Sequence, residues 1–231
     1  MSDLNKQTFV VIEFSSAESV KLQDTGKEIK FNQPNIIEIA LAKVEKGKVV
    51  ESRQRFITID GYNMRNIELN DLDFNNHGVV AAHLIGANSL KEEISGIYYF
   101  IKDSVLIMRG QYIECEYKYL KGFAQSCGYD FNNTVINIVD LIMAYNLKLN
   151  ITAEKWDSIS PTELIKHFKL DCDTWTDIFI NNDIAFDPSR EIILNCRDDS
   201  LGWALAIAQL YVNLYGELYT QLKPIDEEAP F

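Results

Sequence analysis

One short stretch, residues 8–15 (Thr-Phe-Val-Val-Ile-Glu-Phe-Ser), most constrains what this chain can fold into. The four apolar residues Phe9–Ile12 are typical of a strand that is covered on both faces of a sheet. Glu13 continues that strand, and a carboxylate is costly to bury without a partner. Because side chains alternate along a strand, we expect Glu13 and Ser15 to share a face near the strand's carboxyl end, where open sheets hold ligands. Glu13 is therefore either partnered or functional.

Length and charge narrow the class of protein. The 231 residues are 47% hydrophobic, which predicts a single domain over residues 1–231 with its core at about residues 8–222. The net charge of -12 argues against a general polyanion-binding surface but is compatible with a local carboxylate cluster that holds divalent cations.

The cysteine spacing and the absence of a long apolar segment bear on where in the cell the protein is expected. Cys115, Cys127, Cys172 and Cys196 lack the close pairs of a zinc site, so we interpret them as reduced thiols. No segment approaches the ~18 apolar residues of a membrane span, and the first residues lack the apolar core of a signal peptide. We expect a cytoplasmic protein.

The first half of the chain predicts an antiparallel meander. Strands are expected at Ile36–Ala42 and Val49–Ile59, joined by a turn at Lys46-Gly47. Residues 16–33 are predicted to be irregular, and residues 61–86 are predicted to form a long surface excursion.

Helices and strands then alternate. Ser89 and Glu92 have the spacing of a capping box, which predicts a helix to about Lys102. A second helix is expected from Glu114 to a stop at Gly128. Further segments are predicted as strands at Val105–Met108 and Thr134–Val139, and as helices near residues 141–145, 160–170 and 201–222. This order predicts an α/β fold, a mixed sheet of a three-strand antiparallel meander plus parallel strands, with helices on both faces.

Three carboxylates lie at ends of elements that this layout brings together: Glu13, Glu114 and Asp199. Converging acidic oxygens are the ligands that hard divalent cations prefer. For Glu114 and Asp199 there is a second interpretation, because a carboxylate that begins a helix also stabilises the helix dipole.

The same segments resemble the motifs of the DEDD, or DnaQ-like, 3′-5′ exonuclease family over most of the chain. Phe9–Ser15 looks like the first motif, and His77-Gly78-Val79 is similar to the turn before the family's helix. Val105–Met108 followed by Glu114 resembles the second motif, and residues 198–200 (Asp-Asp-Ser) resemble the last. The resemblance implies a ribonuclease H-like fold and a site for two metal ions, Mg²⁺ or Mn²⁺.

The resemblance also implies that the catalytic motifs are degenerate. The family's four acidic positions are occupied here by Glu13, Ser15, Glu114 and Asp199. Leu194 stands where the family has a catalytic His, and Asn195 stands where its other branch has Tyr. A lost general base typically costs ~100-fold to 10,000-fold in rate. These substitutions predict weak or no nuclease activity, with metal binding weak or absent.

Arg109 offers an alternative to a metal, because it can pair with Glu13 or Glu114 and neutralise either one. Glu18 is a candidate to replace the carboxylate that is missing at Ser15. Phe14 and Tyr112 are candidates to stack on a base.

Three functions stay open at this stage. The leading interpretation is an inactive domain that binds single-stranded DNA or RNA at a 3′ end, or a nucleotide, with Phe14, Ser15, Arg109 and Tyr112 as binding residues. The second is an active exonuclease with altered ligands. The third is a pseudo-nuclease interaction module that binds replication or repair proteins, and an aromatic side chain such as Tyr112 filling the cleft would favour it.

Overall fold

The structure, a computed structural model, describes residues 8–69, 79–138, 140, 204–208 and 210–212. Its centre is a six-stranded mixed sheet in the order β3-β2-β1-β5-β6, with β4 pairing to β1 off this path. The strands are β1 Phe9–Leu22, β2 Glu28–Glu45, β3 Lys48–Phe56, β4 Ile67–Leu69, β5 Val105–Met108 and β6 Val135–Asn137.

The pairing confirms the predicted topology. β1, β2 and β3 form an antiparallel meander, whereas β5 runs parallel to β1 and β6 runs parallel to β5. The tight turn between β2 and β3 contains Lys46 and Gly47, both with positive φ, as the sequence predicts. The chain therefore has the mixed sheet that was expected from its order of elements.

The prediction of irregular chain over residues 16–33 is wrong. β1 continues to Leu22 and pairs with the first residues of β2, so the two strands form a long hairpin. Val20 in this extension is fully buried, while its exposed neighbour Lys21 points away. In the extension, buried and exposed side chains alternate, because one face of the hairpin lies in water. Such a strand lacks a continuous apolar run like Phe9–Ile12, so its sequence resembles that of a loop.

The described part of the predicted excursion, residues 61–69 and 79–86, contains short elements. A 3-10 turn at Met64–Asn66 leads into β4, and a second turn is formed by Ala81–Leu84. Met64 and Leu84 are buried and help to cover the extended end of β1. His77 and Gly78 of the family-like turn lie outside the described residues.

Two helical segments follow the meander. Helix α1, Leu90–Ile101, begins at the predicted capping box, in which the Ser89 backbone N–H donates to Glu92 Oε2 at 2.7 Å. After β5 the helical chain starts at Gly110, four residues before the predicted start at Glu114. It consists of α2 Gly110–Tyr112, a π-helical turn Ile113–Tyr117 and α3 Lys118–Ser126, and Gly128 follows with a φ of +86°.

The sheet is covered on both faces. Val10, Ile12 and Phe14 pack with α1 and α3 in one core. On the other face, the Phe9 ring lies 4.9 Å from the ring of Tyr211, which belongs to helix α4, residues 204–208 and 210–212. The helices predicted near residues 141–145 and 160–170 lie outside the described residues. Among the helices that the structure describes, none is long and apolar enough to cross a membrane.

Candidate functional site

The candidate site lies where β1 changes neighbours. On one edge, β1 pairs with β5 only over Phe9–Val11 and with β4 only from Val20 onward. Glu13 and Ser15 lie in the interval between these two partners, and Arg109 follows directly after β5. The prediction that Glu13 lies near the carboxyl end of its strand is wrong, because β1 continues to Leu22. Glu13 lies instead just after the point where the parallel pairing of β1 with β5 ends.

Arg109 forms an ion pair with Glu13. Its Nε and Nη2 atoms donate to Glu13 Oε2 at 2.9 and 2.6 Å, so both hydrogen bonds converge on a single carboxylate oxygen. The Glu13 side chain is fully buried, whereas that of Arg109 is 23% exposed. Glu13 Oε1 has no hydrogen-bond partner among the described residues. Of the two pairings that the sequence offered for Arg109, the structure shows the one with Glu13.

The ion pair only partly offsets the cost of burial. Burial raises the pKa of Glu13 to about 6, although Arg109 acts in the opposite direction. Glu116 nearby adds to the increase. Burial alone would lower the pKa of Arg109, but Glu13, Tyr112 and Glu116 hold it above its ordinary value. Arg109 stays charged at every physiological pH, whereas Glu13 changes its charge near pH 6.

Tyr112 closes the site from one side. Arg109 Nη2 donates to the Tyr112 hydroxyl at 2.6 Å, and the Arg109 guanidinium carbon lies 4.7 Å from the centre of the Tyr112 ring. The same ring meets Phe14 edge to face at 5.7 Å. Tyr112 is 5% exposed and Phe14 is 1% exposed. Neither ring is open to a base, because both side chains are buried in the core. The expectation that Phe14 and Tyr112 stack on a base is therefore not met in this structure.

Glu116, and not Glu114, faces the ion pair. Glu114 is exposed, whereas Glu116 is half-buried. Burial raises the pKa of Glu116, and its neighbours Ser16 and Arg109 lower it in part. The prediction of Glu114 assumed that the helix begins there, but the helical chain begins at Gly110.

The π-helical turn explains this difference. Tyr112, Tyr117, Leu120 and Ala124 all face the core, with spacings of five, three and four residues. A spacing of five fits one π-helical turn and not an α-helical turn. The extra residue keeps Tyr112 and Tyr117 on the core face and leaves Glu116 at its border, beside Arg109. Sequence periodicity alone shows the stripe from Tyr117 onward but does not reveal the inserted residue.

Ser15 belongs to a second buried polar cluster. Its Oγ donates to Glu38 Oε2 at 2.7 Å, and the Gln54 side-chain amide donates to Glu38 Oε1. Ser15 and Glu38 are direct partners in the β1–β2 ladder, and Glu38 is fully buried. Sequence reasoning missed Glu38, although it stands in an apolar run, Ile36–Ile39, just as Glu13 does. The signal that singles out Glu13, a carboxylate within an apolar strand, therefore also identifies Glu38.

Among the described residues, two further side chains stay outside the site. Glu18 is exposed and does not replace the carboxylate missing at Ser15. His83 has a structural role, since its Nδ1 accepts the Val80 backbone N–H at 3.3 Å and its ring stacks on Phe56. Asp199, Leu194 and Asn195 lie outside the described residues.

The described residues at this site do not fit a divalent cation. Arg109 holds the position beside Glu13 that a cation requires. A divalent cation at the remaining carboxylate oxygen, Oε1, would lie close to the guanidinium and be repelled by its charge. Within the described ranges there is no group of three or more His, Cys, Asp or Glu side chains arranged to hold a metal ion. The arrangement of Arg109 and Glu13 favours a structural ion pair over a metal site.

The fold is shared with solved nucleases. The chain is similar to cell-death related nuclease 4, with a TM-score of 0.59, 9% identity, and coverage of 92% of this chain and 65% of that one. It is also similar to a 3′-exonuclease whose structure shows 3′-end specific recognition of a histone mRNA stem-loop. The TM-score is 0.53, the identity is 12%, and the coverage is 91% of this chain and 64% of that one. A third is E. coli exonuclease I in complex with an oligonucleotide, with a TM-score of 0.53, 10% identity, and coverage of 93% and 43%.

These comparisons define the class of fold. Over most of its length the chain has the ribonuclease H-like α/β fold seen in exonucleases, and it spans less than two thirds of the length of each of these three structures. The sequence matches no protein-family model and no curated protein. At sequence identities of 9–12%, these structural similarities show a common fold and nothing about activity. Function has to be argued from this chain's own residues.

Proposed function

We propose that this chain is a pseudo-nuclease, an exonuclease-fold protein that does not hydrolyse phosphodiester bonds and acts as a protein-interaction module. The observation that carries the proposal is the ion pair between Glu13 and Arg109. In two-metal hydrolysis, metal ions neutralise both the attacking and the leaving oxygens. A carboxylate that is already neutralised by an arginine from its own chain is not free to hold such an ion.

The surroundings of the ion pair support the same proposal. Ser15 replaces an acidic residue of the family-like motif, and its hydroxyl is engaged with Glu38. Tyr112 packs its ring against the Arg109 guanidinium and accepts a hydrogen bond from it, so an aromatic side chain lies beside the ion pair. An aromatic side chain in the cleft is the feature that favours an interaction module over a protein that binds a 3′ end there.

A nuclease assay tests the proposal. The protein is incubated with 5′-labelled single-stranded DNA and RNA, with magnesium and then with manganese, and products are resolved on a denaturing gel. We expect no trimming above background. The matched control is Glu13→Gln, which keeps the size of the side chain and removes its charge. Trimming by the wild type that is lost in Glu13→Gln overturns the proposal, whereas trimming that both proteins share comes from a contaminant.

A further inference from the structure

A groove on another part of the molecule has the features of a recognition site. It lies between residues 29–36 of β2, residues 57–62, and the rings of Tyr119 and Phe123, and we call it the edge groove. Its volume is about 620 Å³, within the usual range for binding sites of ~300–1,000 Å³. None of the residues that form the Glu13 site lines it.

One wall of the edge groove is a strand edge. β3 pairs with β2 only from Glu38 to Glu45, and the Ile57 backbone N–H donates to Ile37 as the chain leaves the sheet. On this side, no described strand pairs with residues 28–36 of β2. An open strand edge presents a row of backbone donors and acceptors that an added extended chain can satisfy.

The same wall contains a wide bulge. Ala17 pairs with Asn35 and Ser19 pairs with Lys30, so four residues, 31–34, stand opposite the single residue Glu18. The bulge and Pro34 interrupt the regular repeat, which protects the edge from indiscriminate sheet growth. A partner must therefore also be recognised through its side chains.

Half-exposed aromatic rings provide such recognition. Phe31 and Tyr62 meet edge to face at 6.2 Å, and Tyr119 lies 6.3 Å from Phe123. All four rings line the groove and are neither buried nor fully exposed. Aromatic pairs of this kind make pockets for apolar side chains that project at alternate positions from an extended chain.

The charges of the groove favour a peptide over a nucleic acid. Lys30 and Asp60 are the two charged residues that line the groove in the described part of the chain, and their charges cancel. Grooves for single strands combine aromatic rings with a positive surface, which is missing here. The chain as a whole carries a net charge of -12, which accelerates association with a basic partner.

We propose that the edge groove binds an extended peptide segment of a partner protein that has apolar side chains at alternate positions and a net positive charge. This inference extends the proposed function by naming a surface and a class of partner. The peptide-binding test does not depend on the nuclease assay, so failure of the peptide proposal and failure of the pseudo-nuclease proposal can be told apart.

A displayed library of random peptides of about ten residues, long enough to cover the strand edge, tests the proposal against the full chain. We expect enrichment of basic peptides with alternating apolar residues. Tyr62→Ala and Phe123→Ala should weaken their binding at least ~10-fold, as expected for loss of an aromatic anchor. Tyr99→Ala is the matched control, because Tyr99 is 61% exposed on α1 and does not line the groove.

Hydrogen exchange gives a second measurement on the unmodified protein, in case a variant is unstable. Bound peptide should slow exchange of backbone amides within residues 28–36. The proposal is overturned if no peptide is enriched, if enriched peptides bind Tyr62→Ala and Phe123→Ala as tightly as the wild type, or if the amides of residues 28–36 are not protected. Protection of those amides by a single-stranded oligothymidylate, with no peptide enriched, identifies a nucleic-acid groove instead.

Discussion

Replacement of Arg109 by methionine tests the ion pair most directly. Removing one partner of a buried ion pair typically costs ~3–5 kcal/mol, because the other charge stays buried without compensation. The Arg109 side chain is 23% exposed, so we expect the lower end of that range, a decrease of ~3 kcal/mol in the free energy of unfolding at about pH 8. Glu13 has 0% exposure, so its charge stays out of contact with water in this structure.

The loss should depend on pH, and its sign follows from the pKa of Glu13. The pKa rises from 4.5 to about 6 on folding, so the folded protein binds a proton more tightly. The contribution of Glu13 to stability is therefore greatest below pH 4.5 and falls by ~2 kcal/mol as the pH rises through about 6. Without Arg109 the pKa of Glu13 rises further, so the fall continues to higher pH. At about pH 5, where Glu13 is largely protonated, we expect Arg109→Met to cost only ~1 kcal/mol, the value of an ordinary hydrogen bond.

Denaturant unfolding at about pH 5 and pH 8 measures both values. Arg55→Met is the matched control, because Arg55 pairs with Glu93 at 3.2 Å with its side chain 44% exposed. Surface pairs contribute ~0–1 kcal/mol, and this one should show little pH dependence over the range. An equal loss at both pH values for Arg109→Met, or a loss at pH 8 no larger than that of Arg55→Met, refutes the view that Arg109 compensates a buried charge.

Three further substitutions test neighbouring features by denaturant unfolding. Ser15→Ala removes a donor to the buried Glu38 and should cost ~2 kcal/mol; a loss below ~0.5 kcal/mol contradicts a role for that hydrogen bond. Gly110→Ala should cost ~1–2 kcal/mol, since its new Cβ would lie 2.9 Å from Asn137 Nδ2. Gly122→Ala, in α3 with no atom within 4 Å of the new Cβ, should instead stabilise by ~0.5–1 kcal/mol; equal effects at the two glycines contradict the packing argument.

Much of the fold follows from local patterns in the sequence. The apolar run Phe9–Ile12 becomes the central strand, and Ser89 with Glu92 begins α1 where the capping box predicts. These signals are strong because burial on both faces and capping each restrict residue choice at adjacent positions. The extension of β1 beyond Ser15 was not predicted, because its polar face reads as loop and its pairing with residues 28–36 depends on contacts distant in sequence.

The site was predictable in part. Burial of Glu13 and its pairing with Arg109 follow from two local observations, a carboxylate in an apolar strand and a cation directly after the neighbouring strand. The third member was not predictable, because one inserted residue in a π-helical turn exchanges Glu114 for Glu116. Periodicity assumes 3.6 residues per turn, and a single π-helical turn changes which side chain faces the site without changing composition.

A buried carboxylate in a strand is therefore ambiguous until the cation that neutralises it is known. The same Glu13 indicates a catalytic ligand if a metal ion compensates its charge and a structural residue if Arg109 does. The two cases differ in chemistry: a metal ion leaves open coordination positions for water and substrate, whereas a guanidinium presents only donors and polarises no bound water to the same degree. In this chain Arg109 is further held by Tyr112, so moving Arg109 away to free Glu13 for a metal breaks three hydrogen bonds. In this chain, the residue that directly follows the strand parallel to β1 therefore decides how Glu13 is interpreted.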